Sequence, residues 1–131
     1  MKLGELAKRA GVGVETVRFY QRRGLLGTPA RQPGRTRDYT PEALADLRLI
    51  RRCVALGLTL AQTEALMRVR RSGRAPCRAA HDVLRAGVER MRTERRVLDE
   101  RIARLERLLS TCPHAGPIDA CPLLRGLAEG D

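Results

Sequence analysis

Residues 14–26 read VETVRFYQRRGLL. Val14, Val17 and Phe19 are apolar, Thr16, Arg18 and Tyr20 alternate with polar groups, and Gly24 closes the run. The pattern predicts a short helix over about 14–23, with Val17 and Phe19 turned inward and Thr16, Arg18 and Tyr20 presented outward. Upstream, residues 5–10 carry Leu6 and Ala7, with Gly4 placed to cap them and Gly11 in the position beyond the helix end that favours a left-handed backbone. Two short helices joined by Gly-Val-Gly at 11–13 make a helix-turn-helix pattern. Its outward side chains suit DNA. Arginine pairs with phosphate or bidentately with guanine, and Thr and Tyr hydroxyls suit phosphate oxygens.

The next stretch, LLGTPARQPGRTRDYT (25–40), is rich in Pro, Gly and Arg. It reads as a loop or small hairpin flanked by Leu25, Leu26 and Tyr39. Arg31, Arg35, Arg37 and Tyr39 are placed there for a second contact to the nucleic-acid backbone; the plainer alternative is a solvated charged loop. Charge distribution favours DNA. The chain of 131 residues has a net charge of +11. Residues 1–76 hold 16 Lys and Arg against 6 Asp and Glu, whereas residues 77–131 hold 10 against 9. A GC-rich genome accounts for arginine in place of lysine but not for this asymmetry, which points to an anionic partner for the first half. There is no apolar run near the ~18 residues of a membrane span and no signal-peptide core, so the expected location is the cytoplasm, with no membrane partner. Aromatic residues are only 2% of the chain against 43% hydrophobic residues in all. The core must therefore be built from Leu, Val, Ile and Ala, and a chain this short gains from a partner subunit.

Thr40-Pro41 starts a helix that runs to about Leu56, with Gly57 closing it. Thr59 and Gln62 stand at capping-box spacing ahead of a helix over about 60–71. Residues 72–77 form a linker. From about 78 to 110, Leu84, Val88, Met91, Leu98, Ile102, Leu105 and Leu109 follow alternating steps of three and four, interrupted by Arg95 and extended upstream by His81. That narrow heptad seam predicts a homodimeric coiled coil. Packing along the chain's own small domain is the alternative. Residues 111–131 read as loop, with at most a last turn at 123–128.

KLGELAKRAGVGVETVRFYQRRGLL (2–26) and RDYTPEALADLRLIRRCVALGLTLAQTEALM (37–67) resemble the MerR family of bacterial transcription regulators. The resemblance covers residues 2–71 closely, and the long helix and tail continue it. It implies a mainly α chain: a winged helix-turn-helix DNA-binding domain with connecting helices (1–71), a long helix (78–110) that dimerises as an antiparallel coiled coil, and a C-terminal metal-binding loop and tail (111–131). Arg18 and Tyr20 match the family's recognition-helix contacts, and Arg35 and Tyr39 its wing.

The four cysteines then acquire a pattern. Cys77 opens the long helix, Cys112 follows its end, and Cys121 stands nine residues later. At 1.5 Å per residue, a straight helix between the first two spans about 50 Å. Thiolates on one metal lie only about 4 Å apart, given metal–sulfur bonds near 2.3 Å. One chain therefore cannot bring Cys77 and Cys112 to the same ion. An antiparallel dimer can, with Cys77 of one subunit meeting Cys112 and Cys121 of the other, one site at each end. Cys77 follows Pro76 at a helix N-terminus, where the dipole favours thiolate. Three thiolates favour soft ions over Mg²⁺ or Ca²⁺. A Cys112–Cys121 disulfide, or free thiols, is the alternative.

The spacing and the Cys-Pro-Leu run at 121–123 resemble the mercury-responsive members of the family, which implies Hg(II) as inducer. Lead-responsive members share the three-cysteine spacing, so Pb(II) stays open, with Cd(II) and Zn(II) behind it. His114 would complete a Cys₃His zinc set or stand free in solvent. Pro113 occupies the place where zinc-type relatives carry a further cysteine, which lowers the zinc reading. His81 is expected to pack rather than ligate, and Cys53 to be a buried core thiol among Leu49, Ile50 and Val54. No CxxC, HExxH, P-loop or GxGxxG is present, and two histidines leave little acid–base equipment, so an enzyme is not expected. The function implied is a regulator that represses promoter DNA without metal and, with metal, distorts it so that RNA polymerase can use an overlong promoter. A redox- or thiol-responsive regulator of the same family is the alternative.

Overall fold

The computed structural model describes residues 1–112 and 115–130. It comprises helices α1 (Leu3–Ala10), α2 (Val14–Arg22), α3 (Pro41–Ala55), α4 (Leu60–Ser72), α5 (Cys77–Ser110) and α6 (Pro122–Glu129), with a 3₁₀ turn at Ile118–Ala120. Two compact units divide it, Met1–Gly87 and Val88–Asp131.

The first unit is a helical core without a large aromatic centre. Leu6, Val17, Leu25, Leu47, Ile50 and Met67 are fully buried, contributed by α1, α2, the turn after α2, α3 and α4. Helix ends are set by local chemistry. Gly11 takes the left-handed conformation (φ 71°) after α1, and its N–H reaches back to the Lys8 carbonyl. Thr40 accepts from the Ala43 N–H (3.2 Å) at the start of α3, with Pro41 in the first turn. At α4 the capping box is complete: the Gln62 N–H donates to Thr59 Oγ1, and Gln62 Oε1 accepts from the Thr59 N–H, each at 3.0 Å.

Several expectations are corrected. Lys2, not Gly4, is the extended residue before α1, and Gly4 lies inside the helix. Ser72 belongs to α4 and Cys77 is the first residue of α5, so the linker is shorter at both ends. Among the described residues there is no strand, so the segment after α2 is a loop rather than a hairpin. Gly34 (φ 71°) turns it, and the Arg35 N–H donates to the Gln32 carbonyl at 3.1 Å. The end of this loop is tied to the start of the chain: the Tyr39 N–H donates to the Met1 carbonyl, and the Met1 ammonium donates to the Tyr39 carbonyl and the Asp38 carboxylate. The tail, expected as loop with at most a last turn at 123–128, carries the eight-residue α6 around that turn. Pro122 presets the first helical φ, and Gly126 lets α6 approach Leu108, whose Cδ2 lies only 3.0 Å from where a Cβ would stand.

Within the first unit, the start of α5 meets the α3–α4 turn through a glycine. Gly87 is buried, and a Cβ there would lie 2.6 Å from Leu58 Cδ2. A glycine inside a helix costs about 1 kcal/mol relative to alanine; here it permits a contact that a larger residue would displace.

The capping box gives a direct check on α4. Thr59→Ala removes its side-chain acceptor and should lower stability by about 1 kcal/mol. Chemical denaturation of the wild type and variant should show the midpoint falling with an unchanged slope.

Candidate DNA-binding groove and thiol set

The sequence placed Arg18, Arg35, Arg37 and Tyr39 in two separate segments; the first unit brings them to one groove. Lys2, Arg18, Arg31, Arg35, Arg37 and Tyr39 line an open depression of about 460 Å³ between the N-terminal end of α1, the middle of α2 and the loop. Arg18 Nη1 donates to Glu15 Oε1 at 2.6 Å, one turn back on the exposed face. The pair is exposed, so its net worth is small, and it leaves most guanidinium donors available. Lys2 was not anticipated as part of this set. It precedes α1 as an isolated cation, and only the fold carries it to the loop, where Nζ lies 3.4 Å from the Thr36 carbonyl.

Tyr20 and Phe19 exchange the places expected of them. Tyr20 is 7% exposed and belongs to the core, while Phe19 is 38% exposed. The cause is helical phase. Tyr20 lies three residues after the fully buried Val17 and shares its face, whereas Phe19, two residues on, falls roughly opposite. Tyr39 lines the groove yet is 4% exposed. Its hydroxyl accepts from Gln21 Nε2 at 2.8 Å, which fastens the loop's end to α2. Thr16 is half-buried and outside the groove lining.

All four cysteines are free thiols. Cys53 is buried, as expected, and burial pushes its thiol pKa up. Cys77 is exposed; Cys112 and Cys121 are half-buried. Among the described residues of one chain, no group of three or more His, Cys, Asp and Glu side chains is assembled to hold a metal ion. His81 is exposed. His114 lies outside the described residues. Along α5 the seam has no cover: Leu84, Val88, Leu98, Ile102, Leu105 and Leu109 are each 45–59% exposed, and Met91 is half-buried.

Comparison with known proteins shows the family. Residues 1–69 match the MerR HTH family of regulatory proteins, and residues 44–111 match the family described as MerR, DNA binding. The chain belongs to the MerR family of metal-responsive transcription regulators. A mercuric resistance operon regulatory protein of Bacillus cereus is 33% identical over 98% of this chain and 97% of its own. A transcription regulator of Ralstonia metallidurans, solved in complex with lead(II), superposes with a TM-score of 0.87 at 35% identity, covering 97% of this chain and 98% of that one. The MerR regulator of Bacillus megaterium, solved with mercury(II), gives a TM-score of 0.77 at 28% identity over 98% of this chain and all of that one. No helix among the described residues is long and apolar enough to cross a membrane.

The raised Cys53 thiol sets an expected order of reactivity. In the metal-free native protein at mildly alkaline pH, iodoacetamide should label Cys77, Cys112 and Cys121, and should reach Cys53 only after denaturation. Peptide mass spectrometry checks this. The same burial implies a stability contribution that is complete below the unfolded-chain value of about 8.5 and is lost as pH rises through the higher native value.

Proposed function

We propose that this regulator responds to Hg(II), bound at two equivalent sites in an antiparallel homodimer. Each site would take Cys77 from one subunit with Cys112 and Cys121 from the other. The observation that carries the reading is the pairing of three unoxidised thiols with α5. This helix of 34 residues begins at Cys77, ends just before Cys112 and leaves its apolar seam uncovered. Covering the exposed half of each seam residue contributes on the order of 1 kcal/mol apiece, enough across two helices to favour association. A donor set of three thiolates fits a soft ion. The mercuric-resistance relatives and the mercury-bound neighbour support Hg(II); the lead-bound neighbour makes Pb(II) the main competitor.

In this reading the basic groove of each subunit takes one half-site of promoter DNA in the cytoplasm. Arg18 reaches base edges and phosphate, while Lys2, Arg31, Arg35 and Arg37 bind phosphates of the adjoining backbone. Tyr39 positions the loop through Gln21. Thr16 is the remaining polar contact of α2, and the buried Tyr20 sets the pitch of that helix against the core. The bound ion ties one subunit's tail to the other's α5, and it shifts the dimer only by binding one conformation more tightly than the other. The favoured conformation distorts the promoter, so that RNA polymerase engages elements that are misaligned without metal.

Two measurements test this. The purified protein is challenged anaerobically with Hg(II), Pb(II), Cd(II) and Zn(II) in excess small thiol, with promoter transcription as readout. Hg(II) should activate at the lowest concentration, and Cys77→Ser, Cys112→Ser and Cys121→Ser should each lose induction while still binding the promoter. Normal induction in all three variants would remove the thiol site. Equal or better activation by Pb(II) or Zn(II) would keep the switch and replace the ion, with His114→Ala the next variant. Separately, Leu98→Asp should convert the dimer to monomer in sedimentation velocity; a dimer that survives it would mean that the seam packs elsewhere.

A further inference from the structure

The apolar seam of α5 is bordered by charges set at heptad spacing. Arg85, Arg92, Asp99 and Glu106 form the row along one border, and Glu94 and Arg101 stand on the other. All six are exposed. Glu94 pairs with Arg90 at 2.5 Å and Arg92 with Glu89 at 3.0 Å. Arg85, Asp99, Arg101 and Glu106 form no ion pair with another described residue. The first row thus runs basic, basic, acidic, acidic, and the second runs acidic, then basic.

Such an order is its own complement when reversed. Parallel helices set each border row beside the opposite row of the partner, whereas antiparallel helices set like rows together. With one helix reversed, Arg85 meets the partner's Glu106 and Arg92 meets the partner's Asp99. On the other border Glu94 meets the partner's Arg101. The two-fold axis repeats each pair, so every one of these contacts joins opposite charges. The seam closes in the same register, with Leu84 opposite the partner's Leu109, Val88 opposite the partner's Leu105, and Met91 opposite the partner's Ile102. Arg95 falls about 2 Å along the helix from the two-fold axis, so the polar gaps of the two seams merge at the centre of the interface.

Other pairings fail on charge. A parallel dimer in register sets Glu94 beside the partner's Asp99, twice. Sliding the antiparallel helices by one heptad, about 10 Å, sets Arg92 against the partner's Arg92 and Glu94 against the partner's Glu94. Sliding them the other way sets Asp99 against the partner's Asp99 and Arg101 against the partner's Arg101. The thiols require the same register for a separate reason. Cys77 stands seven residues, about 10 Å, before Leu84. It therefore projects past the end of the partner's α5 at Ser110, where the chain leaves for the partner's Cys112 and Cys121. A slide of one heptad would carry it about 10 Å from that place, while thiolates on one ion lie about 4 Å apart. We propose that these charges form a self-complementary ladder, which selects a second copy of this chain as partner, admits only the antiparallel register just described, and so positions Cys77 for the partner's thiols. This rests on the seam dimer proposed above and adds to it the register and the interaction that fixes it.

The test reverses Arg85 and Glu106 in the full-length protein and follows dimer dissociation by sedimentation equilibrium at low and high salt. Arg85→Glu and Glu106→Arg should each raise the dissociation constant roughly tenfold at low salt, because each breaks its pair twice, and by less at high salt. Arg85→Glu/Glu106→Arg should return it to within about threefold of the wild type. Mixing the two single variants should give heterodimers in preference to either homodimer in native mass spectrometry. Retention of Hg(II) against excess glutathione should fall in the single variants and recover in the double variant. Leu98→Asp is the control for the underlying dimer. If it yields monomer while the single reversals leave dissociation unchanged, or the double variant fails to recover, the ladder is overturned and the seam dimer stands. A parallel dimer would show itself by indifference to Arg85→Glu and by no preference for heterodimers, which also overturns the ladder. A double variant that recovers the dimer but not Hg(II) retention overturns the positioning of Cys77. A dimer that survives Leu98→Asp removes the seam itself.

Discussion

The guanidinium of Arg71 holds the backbone on which the recognition helix ends. Its Nη1 donates to the Gly24 carbonyl at 3.1 Å and its Nη2 to the Leu25 carbonyl. Those carbonyls belong to the turn that leaves α2, where Gly24 takes a left-handed φ of 74°. Arg71 stands in the last turn of α4. A second tie joins the same two elements, Arg23 to Glu64 at 3.4 Å, and a third joins Arg70 to Asp46 on α3 at 2.7 Å. The exposed ion pairs contribute little individually. The Arg71 bonds differ in kind, because they satisfy carbonyls that no helix or strand supplies with a donor.

In the reading proposed above, these contacts would give metal binding at Cys77 a continuous path to α2 within one unit. Cys77 is the first residue of α5, four residues beyond the glycine that closes α4. Gly87, farther along α5, lies against Leu58 in the turn that starts α4. A displacement of the first turns of α5 therefore meets α4 at both ends, through the short linker and through the Leu58 contact. Arg71 and Glu64 join α4 to the end of α2. Close-packed interiors transmit strain, so in the reading proposed above a shift at the thiol would reach Arg18 by this path. The route is spatial continuity, and a two-state response needs the ion to favour one arrangement.

Much of this is legible in the sequence, and the failures have physical causes. Thr40-Pro41, the Thr59–Gln62 box, Gly11 and the seam of α5 are local signals: each is a few residues whose chemistry fixes a helix end or a helix face. Tyr20 misleads because a hydroxyl suggests exposure, although its three-residue step from Val17 puts it in the core. Helix α6 shows in the sequence only as a turn at 123–128, and the structure extends it to Pro122–Glu129, with the proline in its first turn. Lys2 escapes for another reason. Nothing near it in sequence marks a DNA contact, and it joins Arg18 and the loop because Met1 pairs with Tyr39, 38 residues away. The thiol set is proposed across two copies because α5, 34 residues long, begins at Cys77 and ends before Cys112 in the same chain.

The uneven charge completes the argument for two copies. A dimer that places 16 Lys and Arg against 6 Asp and Glu in each reading half carries a large positive field, useful for steering toward DNA but hostile to close approach of like chains. The second half carries 10 against 9 and brings almost none of that field to the α5 seam. Ion pairs along α5 such as Arg90–Glu94 at 2.5 Å and Arg92–Glu89 at 3.0 Å keep its charges locally matched. Segregation thus lets one chain meet two opposed demands, a surface that attracts phosphate and a surface that accepts its own copy. A uniform distribution of the same +11 would weaken both, because the seam would repel itself and the groove would lack the density of cations that makes phosphate binding strong.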